Sequence, residues 1–132
     1  DQCSDIMELV ARYNGGGHML SHLPQGKMKE MFHMAGAMYE RAVDALKAED
    51  ADMAERVCEA DDIVDAYYRE LVTEISDTMA ERRDIVHDAV NAIIIVKYIE
   101  RIADHATNIA EWVIYRVNGK HADLNKHEFM AE

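Results

Sequence analysis

Apolar residues recur along most of the chain at alternating steps of three and four, the spacing of one face of an α-helix. A first stripe begins after Pro24, a residue well placed for a helix start, and comprises Met28, Phe32, Ala35, Met38, Ala42 and Leu46. A second stripe comprises Val57, Asp61, Val64, Tyr68, Leu71 and Ile75. These stripes predict one helix from residue 24 to about residue 48 and another from about residue 53 to residue 79. Asp52, in the turn between them, is the expected N-cap of the second helix.

The third stripe is the longest and predicts a helix from about residue 84 to residue 117. It comprises Ile85, Ala89, Ala92, Val96, Ile99, Ala103, Ala106, Ala110, Val113 and Val117. Asn118 and Gly119 follow it, and such a pair is typical of a helix C-terminus. Three helices joined by short turns fold back and forth. The chain is therefore predicted to be all-α, an antiparallel three-helix bundle with coiled-coil-like packing.

The N-terminal stretch resembles the third helix and indicates an internal repeat. At one constant offset, four of its residues are identical to four in the third helix: Asp1, Ile6, Glu8 and Val10 to Asp104, Ile109, Glu111 and Val113. We therefore expect residues 1–14 to be the end of the last helix of a preceding repeat, and residues 15–23, which open on three glycines, to be a linker. Residues 24–119 then form one whole repeat, and residues 120–132 a polar C-terminal tail.

Two pairs of carboxylates stand at helix positions where like charges repel. Glu100 and Asp104 lie one turn apart on the third helix, and Asp61, which interrupts an apolar stripe, lies one turn before Asp65 on the second. Antiparallel helices face each other at equal distances from their turn, so the two pairs are level. Four such carboxylates need protons or cations, and oxygen ligands suit hard cations such as magnesium and manganese, and also iron. Asn108 is placed to add a carbonyl oxygen or a supporting hydrogen bond.

Two other interpretations of the charged residues stay open. The acids are also compatible with a solvated face paired with Lys and Arg, in which case the chain is a metal-free helical interaction module. Glu30 and His33 have the Glu-x-x-His spacing of carboxylate-bridged di-iron bundles. A ferritin-like oxidase needs a second such pair, which would be Asp84 and His87, but His87 lies far from the level of the four carboxylates.

The composition indicates a globular domain with a strongly acidic surface. There are 26 acidic against 14 basic residues, a net charge of -12, which disfavours direct binding of nucleic acid. The longest apolar run, residues 92–96, is too short to cross a membrane, and no signal peptide is recognisable. The 2 cysteines form no disulfide framework. We therefore expect a cytoplasmic protein without membrane insertion.

The stretch from Tyr98 to Glu111, YIERIADHATNIAE, followed by Asn118-Gly119, resembles the signature of the PhoU family of phosphate-signalling proteins. The stretch DDIVD over residues 61–65 resembles the corresponding motif of the preceding helix, and the resemblance extends from Pro24 to Gly119. The family is built from two tandem three-helix repeats, in agreement with the internal repeat. The resemblance therefore implies that the chain contains one repeat and the end of another.

The resemblance implies a regulatory accessory protein and not an enzyme. Such proteins restrain the phosphate-starvation response by contacting a phosphate ABC transporter, through its ATPase, and a sensor histidine kinase. Family members hold multinuclear metal clusters, often of iron and sometimes of zinc, at their acidic motifs. Carried over here, the ligands are Asp61, Asp65, Glu100 and Asp104. Because the first repeat is reduced to its end, we expect its own metal site to be absent or incomplete, and the apolar surface left exposed to favour a homodimer.

Overall fold

A computed structural model describes the backbone of residues 22–131 and the side chains of residues 22–119. Three α-helices follow one another: α1, Gln25–Ala48; α2, Ala51–Glu81; and α3, Val86–Ala131. A 3-10 turn, Arg83–Ile85, connects α2 to α3. Every pair of helices is in contact and the described residues contain no strand, so the predicted all-α three-helix bundle is confirmed. The predicted helix end at residues 1–14 lies outside the described residues, as does most of the predicted linker.

The turn between α1 and α2 is tight because two residues have special roles in it. Glu49 adopts the left-handed conformation, with φ 52°, and ends α1. Asp50 is the N-cap of α2, and its carboxylate accepts a hydrogen bond from the backbone N–H of Met53 at 3.1 Å. The prediction that Asp52 caps α2 was therefore wrong. Asp52 lies in the first turn of the helix, where its negative charge interacts favourably with the helix dipole.

The predicted third stripe is confirmed from Ile85, in the 3-10 turn, to Val113, but Ile95 is buried as well and Val117 is only partly buried. Most of its buried residues are alanines, so neighbouring helices can approach it closely. α2 contributes four of the larger core side chains: Val57, Val64, Leu71 and Ile75. A carboxylate, that of Asp61, occupies the partly buried position between Val57 and Val64 in the same line.

The buried stripe of α1 is confirmed only in its centre. Phe32 and Leu46, both predicted to be buried, are 36% and 37% exposed. The buried stripe of a helix in a bundle follows a repeat of close to 3.5 residues. That repeat places Met31 in the core instead of Phe32, and Ala45 instead of Leu46. The buried residues of α1 are Met31, Ala35, Met38, Ala42 and Ala45.

α3 continues beyond the predicted stop at Asn118 and Gly119, so that prediction was wrong. The last residue of the helix is Ala131. A glycine inside a helix costs only about 1 kcal/mol relative to alanine, and it ends a helix by adopting a left-handed conformation, whereas Gly119 is helical. The chain contains 1 proline, Pro24, so none follows to force a stop. Among the described residues, no helix is both long and apolar enough to cross a membrane.

Candidate functional site

The four carboxylates singled out in the sequence, here called the acidic cluster, lie on the facing sides of α2 and α3. Asp61 and Asp65 are partly buried on α2. On α3, the side chain of Glu100 is 14% exposed, whereas Asp104 is more exposed. Asp61 is repelled by both Asp65 and Asp104, and Asp104 is repelled by Glu100. The fold therefore brings the two pairs together at one level of the bundle.

α3 is displaced along α2 relative to the expected position. The sequence placed Asp61 opposite Ile102, whereas the carboxylate of Asp61 is repelled by that of Asp104 and lies near the hydroxyl of Thr107. Lys97 Nζ lies 5.4 Å from the centre of the Tyr68 ring, which the expected position placed opposite Ile95. The 3-10 turn Arg83–Ile85 explains the shift, because it lengthens the connection on the side of α3.

Asp61 is the member of the acidic cluster whose surroundings disfavour a charge most clearly. Its Oδ1 atom is buried and has no hydrogen-bond partner within the described part of the chain. Burial, followed by repulsion from Asp65 and Asp104, raises the pKa of Asp61 to about 6. The nearby hydroxyl of Thr107 opposes this rise, but it donates its own hydrogen bond to the carbonyl oxygen of Ala103, at 3.0 Å. A proton or a cation at Oδ1 would relieve the repulsion.

The other side of the acidic cluster is partly neutralised. Lys97 Nζ lies 2.8 Å from a carboxylate oxygen of Glu100. Partial burial, repulsion from Glu100 and a hydrogen bond with it raise the pKa of Asp104, and Lys97 opposes the rise. One of the four negative charges therefore has a basic partner, as the solvated-face interpretation expected, while Asp61 has a buried oxygen that no described group satisfies.

Thr107 lies near Asp61, but it was not among the candidate residues predicted from the sequence. The sequence suggested Asn108 as the supporting residue, but Asn108 is exposed. Thr107 is three residues after Asp104 and therefore lies one turn along the same flank of α3. That spacing was available in the sequence, but it became informative only once the alignment of α2 with α3 was known.

The residues of the acidic cluster fit a hard metal ion in their chemistry. They offer only oxygen ligands and an excess of negative charge, and the buried Oδ1 of Asp61 is an acceptor without a donor. Among the described side chains, however, no three His, Cys, Asp or Glu residues are arranged to hold a metal ion. A bound ion would therefore require side-chain rotations.

The residues of the oxidase alternative have other contacts. The hydroxyl of Tyr67 donates to the carboxylate of Glu30 at 2.9 Å, and the ring of His33 lies edge-on to Phe32, with 6.1 Å between the ring centres. The carboxylate of Asp84 accepts a hydrogen bond from the guanidinium of Arg82, at 3.2 Å. The geometry thus directs both carboxylates of the proposed pairs toward neighbours other than histidine.

The described part of the chain is thus a three-helix bundle with acidic pairs at the same level of its second and third helices. The model of the PhoU domain matches residues 28–113, a range that includes all of the acidic cluster. The chain therefore belongs to the PhoU family, and the family resemblance inferred from the sequence is confirmed.

Relatives with the name phosphate-specific transport system accessory protein PhoU homolog match most of the chain. The protein of Clostridium acetobutylicum is 33% identical over 128 residues, which cover 95% of this chain and 56% of the relative. The protein of Pseudomonas aeruginosa is 40% identical over 82 residues, 62% of this chain and 34% of the relative. For Zymomonas mobilis the identity is 35% over 103 residues, covering 78% and 44%. The chain thus spans about half the length of these relatives or less. No solved structure matches the chain significantly.

Proposed function

We propose that this chain acts as a regulatory accessory module of phosphate uptake that restrains the phosphate-starvation response. The observation that carries the proposal is the similarity to phosphate-specific transport system accessory proteins, which extends over 95% of the chain. The proposed partners are the ATPase of a phosphate ABC transporter and a sensor histidine kinase. In this role the chain acts in the cytoplasm by contact and performs no chemical reaction.

Restoring phosphate control to a cell that has lost it would test this role. The full chain would be expressed in a bacterium that lacks its own PhoU-family protein and that carries an alkaline phosphatase reporter. In high phosphate, the reporter should be repressed at least several-fold relative to the empty vector. Immunoblots must show comparable expression, and a destabilised variant such as Leu71→Ala serves as the control for folded protein. A well-expressed, folded chain without effect on the reporter would contradict the regulatory role.

We further propose that metal ions, with iron first and zinc, manganese or magnesium as alternatives, bind at the acidic cluster. The residues that would hold them are Asp61, Asp65, Glu100 and Asp104. The support is the oxygen-only donor set together with the buried acceptor Oδ1 of Asp61. A bound ion would supply positive charge where carboxylates now repel each other, so it would stabilise the contact between α2 and α3.

Metal analysis and thermal unfolding would test the metal proposal separately from the regulatory one. An ion that binds only the folded state at 100 times its Kd should stabilise the protein by about 2.7 kcal/mol. The double variant Asp61→Asn and Glu100→Gln should lose this gain. The matched control, Asp44→Asn and Glu55→Gln, changes exposed carboxylates elsewhere and should keep it. Equal metal content in both variants would place the ion elsewhere, whatever the reporter assay shows.

A further inference from the structure

Lys97 is a basic residue that contacts both of the helices that form the acidic cluster. Its Nζ atom lies 2.8 Å from a carboxylate oxygen of Glu100 on α3. The same atom lies 5.4 Å from the centre of the Tyr68 ring on α2, and Tyr68 follows Asp65 by one helical turn. The ammonium group is therefore placed across the gap between α2 and α3, at the edge of the acidic cluster.

The charge of Lys97 acts on more of the acidic cluster than its hydrogen-bond partner. The hydrogen bond and the attraction to Glu100 raise the pKa of Lys97, and attraction to Tyr68 and to Asp104 adds to the rise. In return, Lys97 limits the rise in the pKa of Asp104 that burial and Glu100 produce. The lysine therefore offsets the negative charge of at least two of the four carboxylates.

Two features distinguish this lysine from an ordinary surface cation. The side chain of Glu100 is only 14% exposed, and water and salt screen a partly buried charge less than an exposed one. The face of an aromatic ring such as that of Tyr68 also attracts a cation within about 6 Å of its centre. The contact on α2 cannot come from an ion pair that belongs to α3 alone, so the lysine links the two helices.

We propose that Lys97 is the built-in counter-ion of the acidic cluster, which stabilises the cluster in the metal-free chain and weakens the binding of a metal ion there. The stabilising effect concerns this chain alone, whereas the effect on metal binding rests on the metal site proposed above. The lysine thereby sets the concentration of free metal at which the acidic cluster fills.

Repulsion between cations is the physical reason for the weaker binding. One positive charge a few ångströms from a divalent ion, in surroundings close to water, changes the affinity for that ion on the order of tenfold. If the ammonium stays against Glu100, it repels the ion directly. If it moves away, its contacts with Glu100 and Tyr68 are lost. In both cases the ion binds more weakly than it would to the same carboxylates without the lysine.

Arg101 offers a matched comparison for Lys97. Both residues are exposed and lie on α3 on either side of Glu100, and lysine and arginine have similar helix propensities. Residues three apart on a helix are neighbours, whereas adjacent residues do not face each other, so Lys97 faces Glu100 and Arg101 does not. Replacing either residue with methionine removes one positive charge from the same helix. The difference between the two variants therefore reports the position of the charge.

Urea unfolding in chelator at low ionic strength tests the counter-ion in the metal-free chain. Lys97→Met should lower the urea midpoint further than Arg101→Met does. The loss should become smaller in a chain that already carries Asp104→Asn, because the acidic cluster then has less charge to offset; a double-mutant cycle measures this coupling. Equal midpoints for Lys97→Met and Arg101→Met, or no coupling to Asp104, would overturn the proposal.

Titration with Mn²⁺ tests the effect on metal binding, with free Mn²⁺ measured by electron paramagnetic resonance. Lys97→Met should bind the ion about tenfold more tightly than the wild-type chain. Arg101→Met and the conservative variant Lys97→Arg should both stay within about threefold of the wild type, because the first removes a more distant charge and the second keeps the charge in place. Combining Lys97→Met with Asp61→Asn and Glu100→Gln should abolish the gain.

The two measurements separate failure of the counter-ion from failure of the metal site. If the wild-type chain binds Mn²⁺ and Lys97→Met binds it no more tightly, the proposal is wrong. It is also wrong if the gain persists after Asp61 and Glu100 are replaced, since the ion then binds elsewhere. If no variant binds Mn²⁺, the metal site and the effect of Lys97 on it both fall, whereas unfolding in chelator still decides whether Lys97 stabilises the acidic cluster.

Discussion

Replacing Asp61 with asparagine should stabilise the protein, and by more at high pH than at low pH. Asparagine has nearly the shape of aspartate but no charge, so the variant removes repulsion from Asp65 and Asp104 while it keeps the packing between α2 and α3. The experiment is done in chelator, so that no metal ion compensates the charge. The comparison therefore isolates the cost of placing a carboxylate in an otherwise apolar line of α2.

The magnitude follows from the pKa of Asp61, about 6 in the folded chain against 3.8 for an ordinary aspartate. A difference of about two pKa units corresponds to roughly 3 kcal/mol, and solvent screening of the partly exposed carboxyl reduces it to about 1–2 kcal/mol. Because the folded pKa is the higher one, folding favours the protonated form. The wild-type chain therefore loses this contribution to its stability as the pH rises from about 4 through 6, and above that window the contribution is gone. Protonated Asp61 resembles asparagine, so the two proteins should differ little near pH 4.

Thermal unfolding at pH 4 and at pH 8 provides the assay. For a chain of 132 residues, 1–2 kcal/mol corresponds to an increase in Tm of roughly 4–7 °C at pH 8. The control Asp44→Asn, at an exposed position of α1, should change stability by no more than about 0.5 kcal/mol. If Asp61→Asn were destabilising at pH 8, or if its effect were equal at both pH values, the argument from burial and repulsion would be refuted.

Three further substitutions test the fold. Asp50→Ala removes the N-cap of α2 and should cost about 1 kcal/mol in urea unfolding, and an unchanged midpoint would show that the hydrogen bond to Met53 is unimportant. Leu71→Ala opens a cavity in the core and should cost about 2–5 kcal/mol, whereas a loss below about 1 kcal/mol would mean that the core collapses around it. Gly119→Ala should stabilise α3 by up to about 1 kcal/mol, since an added Cβ meets no atom within 4 Å. Destabilisation would indicate that the helix ends there.

The sequence predicted the number, order and approximate bounds of the helices because apolar spacing is a local signal. It misplaced what depends on neighbouring elements. The spacing of α1 allowed either of two adjacent residues to face the core, and only packing selected Met31 over Phe32. The sequence also could not show that α3 continues through Gly119, because an Asn-Gly pair is compatible both with a helix that ends there and with one that continues.

The acidic cluster was predictable for two reasons. The carboxylate of Asp61 interrupts an apolar stripe, and antiparallel helices bring together residues that lie equally far from their turn. The details were not predictable, since they depend on how far α3 is displaced along α2. In the structure the carboxylate of Asp61 is repelled by that of Asp104 and lies near Thr107. The pairing of Glu100 with Lys97 likewise depends on side-chain conformation, which spacing does not determine.

The alanines along the buried face of α3 restrict the substitutions that this domain can accept in evolution. Ala103 and Ala106 lie on either side of Asp104 in the chain, and both are fully buried. A larger residue at either position would force the neighbouring helices away from α3, and overpacking of this kind typically costs about 1–3 kcal/mol. Because Asp104 lies between them in the chain, such a change would also disturb the position of its carboxylate. The alanines therefore keep the helices close together around the acidic cluster. Evolutionary substitution at these positions is expected to change the acidic cluster before it changes the fold.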